Sequence, residues 1–176
     1  SIRVKRKTGI NPFVFKNTDS AQDYIGKVLT LINIAIFALV VVNLTYPVGL
    51  QYFAPFIWLG FPILKLTGFI LIHLALIWII IAQIQMSNSW RVGIDPNTKT
   101  ELKTKGLFSV SRNPVFLGML ITLAGIFLIL PNSVTLLTLV SSALLFQVQV
   151  RLEEEYLLKM HGEVYLAYYK AVRRWL

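Results

Sequence analysis

The chain has 176 residues, 56% of them hydrophobic and only 14% charged, with 17 Lys and Arg against 8 Asp and Glu for a net charge of +9. Soluble domains carry about 25% charged residues, so this composition argues against an ordinary soluble enzyme. The lack of cysteine excludes disulfides, thiolate metal sites and cysteine nucleophiles. A basic but apolar chain points to a membrane protein rather than a nucleic-acid binder, with its cations on one face toward anionic headgroups.

In chain order, residues 1–27 form a cytoplasmic N-terminal segment that opens with Arg3, Lys5, Arg6 and Lys7. Such a cluster suits the cytoplasmic flank of a preceding span, so a further helix is expected upstream. Three uncharged blocks follow, of 37, 25 and 38 residues, ending at Lys65, Arg91 and Arg151. A spanning helix needs about 20 apolar residues. The first block predicts a span over 28–44. Its remainder, 46–62, carries Pro47, Pro55 and Pro62 among aromatics and reads as an interfacial or partly re-entrant connection.

The second block predicts a span over 64–86. Pro131-Asn132, a turn signal, divides the third into 113–130 and 133–150, a helical hairpin. The fold class expected is all-α: a polytopic membrane bundle of four visible transmembrane helices in one domain. An amphipathic cytoplasmic helix over 151–176, breaking near Gly162, closes it. Sixteen of the 17 cations and all 8 acids lie in 1–27, 87–113 and 151–176, with Lys65 the exception. The positive-inside rule places those regions, both visible termini and any charged chemistry in the cytoplasm.

Three stretches could carry chemistry. The 87–113 loop contains Trp90, the turn Asp95-Pro96-Asn97 and Gly106, whose backbone freedom would let a ligand approach. Asn113 and Pro114 suit the N-cap and first turn of the next helix, and a helix N-terminus beside Arg112 is a ready carboxylate site. Gly118 and Gly125 then allow close helix packing. Glu153, Glu154 and Glu155 repel one another at the membrane surface, and a bound cation beside them would compensate. His73 reads as a neutral, hydrogen-bonded packing residue and His161 as a surface residue.

Trp90, Leu102-x-x-x-Gly106-x-Phe108, Arg112-Asn113-Pro114-Val115-Phe116-Leu117-Gly118, Glu153-Glu154 and Gly162-x-x-Tyr165-x-x-Tyr168 occur in that order around the hairpin. Over residues 87–170 this pattern resembles the isoprenylcysteine carboxyl methyltransferase and phospholipid methyltransferase superfamily of integral membrane enzymes. The resemblance implies S-adenosylmethionine as cofactor, in a cytoplasmic pocket open laterally to lipid for a lipophilic methyl acceptor. It implies that Thr100, Glu101, Leu102 and Lys103 run along the cofactor, largely through backbone groups. Phe108 and Phe116 stand where the superfamily has tyrosines. Asn113 replaces its histidine and can still donate to the methionine carboxylate. Pro114 and Val115 complete that wall, and Glu153 takes the place of the cofactor-binding glutamate.

The superfamily's carboxyl methyltransferases place a substrate-contacting arginine four residues before that glutamate, where this chain has Gln149. Arg151 is two residues displaced, about 200° around a helix. Gln149 and Arg151 are therefore the candidate acceptor-contacting residues, and the acceptor could be a prenylated carboxylate, a lipid amine or a small thiol. Two other readings stay open. One is a membrane reductase using NADPH, although no phosphate-binding glycine loop occurs. The other is a non-enzymatic scaffold of the same fold, motivated by Asn113 and Gln149.

Overall fold

The computed structural model describes residues 20–86 and 101–176. Among these, five α-helices and short 3-10 turns form the fold, and no strand is present. Helix α1 runs Ala21–Thr45, α2 Pro62–Met86, α3 Pro114–Ile129, α4 Ser133–His161 and α5 Glu163–Ala171. The N-terminal segment before Ser20 and residues 87–100 lie outside the described residues.

α1 starts seven residues before the expected span because Ser20 caps it, accepting from the Asp23 N–H at 3.1 Å. α2 begins at Pro62, whose missing N–H costs nothing in a first turn. Both are 25-residue helices, and their apolar side chains mostly face outward, Leu31, Phe37 and Ile84 each at 65% exposure or more. Water would penalise such faces, whereas lipid would not. Together with α4, they are the three helices among the described residues that are long and apolar enough to cross a membrane.

α3 is shorter than expected. Its 16 residues span about 24 Å at 1.5 Å per residue, short of a hydrocarbon core of about 30 Å. The Pro131-Asn132 turn is confirmed in detail. Asn132 Oδ1 accepts from the Val134 and Thr135 N–H groups at 2.9 and 3.1 Å, and the Thr135 hydroxyl accepts back from the Asn132 N–H at 3.2 Å.

The connection between α1 and α2 holds two short 3-10 turns, 47–53 and 57–59. It docks against the hairpin tip, where the Phe56 N–H donates to Pro131 O at 2.8 Å. This places it at the end of the bundle opposite the Arg112 segment.

Helix α3 packs most extensively on α2, while α4 packs on α1 and α3. The α2–α3 contact is close because glycines face each other. A Cβ built on Gly68 would lie 2.6 Å from Gly125 O, and one on Gly125 would lie 2.8 Å from Gly68 O. The packing role expected of Gly118 and Gly125 is therefore met, with α2 as the partner: Gly118 abuts Ile79 and Trp78.

One expectation needs correction. The segment after Val150 does not begin a new cytoplasmic helix. α4 continues unbroken to His161, 29 residues in all, because 151–160 contains no glycine or proline and is rich in helix formers. The break comes at Gly162, with φ +53°, as the sequence suggested. α5 then has only 9 residues. The chain leaves it extended at Val172 and runs on as a C-terminal strap.

Candidate functional site

The strap crosses the start of α3. There the Arg112 N–H donates to Arg173 O at 3.0 Å. The Arg112 guanidinium donates to Tyr169 O at 2.9 Å and also to Val172 O. It lies 4.1 Å from the centroid of the Tyr169 ring, a cation–π contact. The Ser111 hydroxyl and Asn113 Nδ2 both donate to Arg174 O at 3.3 Å. Arg112 is thus occupied by the chain's own C-terminus and is not a free carboxylate site.

Beneath this crossing lies Glu154, 7% exposed. Its Oε1 accepts from Arg112 Nη2 at 2.8 Å and Nε at 3.0 Å, and its Oε2 from Arg174 Nη2 at 2.6 Å and Nε at 3.1 Å. One carboxylate between two guanidiniums clamps α4, the α3 entry and the strap together. On the other side, Tyr168 donates its hydroxyl to Phe108 O at 2.6 Å, fixing the 3-10 turn 106–109 against α5. Burial pushes the Tyr168 phenol up to about 12 and that of Tyr165 higher still, so both remain donors.

Glu153 differs from its neighbour. It makes no hydrogen bond or ion pair among the described residues. It sits beyond the apolar stretch that ends at Val150. Burial first, and the charge of Glu154 second, push its carboxyl up to about 7. Gln149, one turn below, is 4% exposed, and its Oε1 has no partner. Arg151 lies elsewhere: it is exposed and bonds Gln147 O at 2.6 Å and Gln147 Oε1 at 2.9 Å on its own helix. Of the two candidate acceptor contacts, only Gln149 is brought inside.

The remaining expected residues divide. Phe108 and Asn113 are buried, as is Pro114, whose carbonyl accepts from Trp78 Nε1 at 2.9 Å. Asn113 holds the N-cap position, but its side chain makes no cap bond and goes to Arg174 instead. Val115 is half-buried. Phe116 is half-buried too and meets Phe146 with centroids 5.1 Å apart. Glu101 is exposed and pairs with Lys103 at 2.6 Å, while Leu102 is half-buried. Thr100 and Trp90 lie outside the described residues.

Gly106 does adopt φ +67°, yet the space over it is filled by Gln85, whose Oε1 accepts from the Leu107 N–H at 2.8 Å. That corrects the expectation of a ligand approach there. His73 donates from Nδ1 to Phe69 O at 2.8 Å, hydrogen-bonded as expected, but it is exposed on the surface of α2 and not packed inside. His161 is half-buried with Nε2 unpartnered, less exposed than a surface residue.

A cavity of about 410 Å³ lies below this cluster, among α1, α3 and α4. Its walls include Gly26, Asn33, Phe116, Thr122, Ser142 and Phe146. Along α3 it follows residues 116 to 126, a depth of about 15 Å at 1.5 Å per residue. Phe116 and Phe146 stand at its upper end, one turn below Gln149.

A family model described as phospholipid methyltransferase matches residues 63–164, more than half of the chain. The chain belongs to the phospholipid methyltransferase family. The match runs from α2 into the start of α5, so it covers α2 and α3 as well as the hairpin. The strap lies beyond it. No curated protein sequence matches the chain. Phospholipid methyltransferase membership and three apolar helices of spanning length make this a membrane methyltransferase by family.

The sequence reading singled out Glu154 only as one of an acidic cluster, without its clamp role, and missed Arg174 and Gln85. Only the Arg112–Glu154 pair had a signal, a lone cation before α3 and a run of acids after Val150. Its geometry required the helix register.

Proposed function

We propose that this chain transfers a methyl group from S-adenosylmethionine to a lipophilic acceptor at the cytoplasmic membrane surface, with four helices crossing the bilayer. Glu153 carries the reading. Among the described residues it is a carboxyl without a cation, beside a neighbour that has two, and it lies on α4 two turns beyond Phe146, which lines the cavity of about 410 Å³. A cationic ligand would supply what it lacks.

The residues present fit the cofactor. Glu153 would hold its amino group or lie near its sulfonium. Asn113 Nδ2, on a long 3.3 Å bond to the strap, would serve the carboxylate, with Phe108 and Phe116 as apolar walls. The backbone of Thr100, Glu101, Leu102 and Lys103, with Pro114 and Val115, would complete the pocket. The bound cofactor supplies a methyl already activated by sulfonium charge. The chain's task is then positioning and exclusion of water. The acceptor's apolar part would occupy the α1–α3–α4 cavity, whose upper end points its head toward Gln149 and Glu153.

Calorimetry on the purified protein in detergent tests this. S-adenosylmethionine binds the wild type, and Glu153→Ala loses about tenfold or more in affinity. No binding to correctly folded wild type overturns the proposal. NADPH binding in its place would favour the reductase, and binding of neither would favour a scaffold.

A further inference from the structure

The strap lays three successive carbonyl oxygens on the residues that open α3. Val172 O accepts from the Arg112 guanidinium and Arg173 O from the Arg112 N–H at 3.0 Å. Arg174 O accepts from the Ser111 hydroxyl and from Asn113 Nδ2, both at 3.3 Å. These donors are shut off from water: Ser111 is 0% exposed, Asn113 8% and the Arg112 side chain 6%. Buried donors need acceptors, and the chain's own end supplies them. The fit weakens toward the tip. Both bonds to Arg174 O exceed the usual upper limits of about 3.0 Å for O–H donors and about 3.2 Å for N–H donors. A carboxylate is a stronger acceptor than a carbonyl and would close them up. The family match ends at residue 164, so the strap is not part of what this chain shares with the family's model.

Resting on the methyl-transfer reading above, we propose that the strap is an autoinhibitory lid, its Arg174 carbonyl standing on Ser111 and Asn113 in the place of the cofactor's carboxylate. Binding exchanges one acceptor for the other. The carboxylate takes the Ser111 hydroxyl and Asn113 Nδ2, and the tip, 174–176, swings out. The strap pivots beyond Arg173, whose carbonyl stays on the Arg112 N–H. Arg112 also keeps Glu154 and Tyr169 O, so α4, α5 and the α3 entry remain joined while the tip moves. The ion pair from Arg174 to Glu154 is the latch. Its arginine is 25% exposed at the side chain, against 6% for Arg112, so water can take over the Arg174 end more readily. A docked tip and a bound carboxylate exclude each other. The apparent affinity therefore falls by the fraction of molecules whose tip is free, and a tip docked about nine-tenths of the time costs about tenfold.

Calorimetry on the full chain in detergent compares S-adenosylmethionine with its decarboxylated form, which keeps the amine and the sulfonium but has no carboxylate. Arg174→Gln opens the latch. It should bind S-adenosylmethionine about tenfold more tightly than wild type and leave the decarboxylated form unchanged. Losing a nearby cation would by itself weaken a carboxylate, so a gain reports the lid. A second readout leaves the latch intact. The chain has no native cysteine, so a spin label on Leu176→Cys reports the tip alone. S-adenosylmethionine should convert its restricted spectrum to a mobile one, and the decarboxylated form should not. Unchanged or weaker binding in Arg174→Gln, an equal gain for both ligands, or a label that S-adenosylmethionine leaves restricted overturns the proposal and makes the strap a fixed clamp. Free L-methionine separates the two readings. If wild type and Arg174→Gln both fail to bind S-adenosylmethionine while L-methionine frees the label, the methyl-transfer reading falls and the lid stands.

Discussion

Glu153 and Glu154 are adjacent, chemically identical and opposite in circumstance. About 100° of helix separates them, which turns Glu154 into a nest of two arginines and leaves Glu153 beside it without one among the described residues. Removing one member of a buried ion pair costs about 3–5 kcal/mol, because the other charge stays buried and alone. Glu154→Ala should therefore lower the thermal unfolding midpoint more than Arg174→Ala does. Arg112 is 6% exposed at its side chain and Arg174 25%, so the stranded Arg112 suffers more. Thermal unfolding in detergent measures the order. Glu153 behaves in the opposite sense. Its carboxyl is raised from an ordinary 4.5 to about 7, so the folded protein binds a proton there that the unfolded chain has already lost. Stability falls as pH rises from about 4.5 to 7, and Glu153→Gln should be more stable than wild type at pH 8 but not at pH 4. Binding of a cation at Glu153 follows the ionised form and weakens below pH 7 in wild type alone. The motif pattern singled out Glu153, Asn113 and Gln149 as candidate site residues. It could not reveal that Asn113 reaches the Arg174 carbonyl, since 61 residues separate them and no local spacing encodes that contact.

At the scale of elements, the glycine contacts decide how α2 and α3 meet. Gly125→Ala places a methyl 2.8 Å from the Gly68 carbonyl oxygen, a backbone atom that cannot step aside, so the helices must separate. Overpacking of this kind costs about 1–3 kcal/mol. Gly162→Ala meets nothing within 4 Å but must hold φ +53°, which costs about 1–2 kcal/mol for an L-residue. Gly125→Ala should thus reduce detergent-resistant α2–α3 packing, read as faster hydrogen exchange across 66–76 and 118–128. Gly162→Ala should leave that exchange unchanged. The hairpin turn and the existence of each helix were legible because proline, asparagine and long uncharged blocks mark them. The pairing of α2 with α3 was not. In lipid the outward face of a helix is as apolar as the inward one, so hydrophobic periodicity, the usual guide to a packing face, is erased. The unbroken run of α4 past Val150 escaped for a related reason. The end of an apolar block marks the edge of hydrocarbon, not the end of a helix.

For the whole molecule, the uneven charge distribution follows the two ends of the bundle. The end formed by the α3 entry, the 151–161 extension of α4, α5 and the strap holds Arg112, Glu153, Glu154 and Arg174, with Gln149 just below it. The opposite end holds the 46–62 connection and the 131–133 turn, with Lys65 as the cation next to the connection in sequence. The apolar surfaces of α1 and α2 between them fit lipid. If four helices cross, with the cations on the cytoplasmic side, the two ends face different compartments. The chain contains no cysteine, so a single introduced thiol reports its side without background. Trp58→Cys is on the connection, 68% exposed in the native residue. Arg173→Cys is on the exposed strap and donates no side-chain bond that the clamp requires. In sealed vesicles with the cytoplasmic face inside, a membrane-impermeant maleimide should label Trp58→Cys at once and Arg173→Cys only after permeabilisation. Labelling of both from outside would mean that α3, at 16 residues, does not cross. The hairpin would then sit on one face, and the cavity beneath Gln149 would open at the surface instead of into the bilayer.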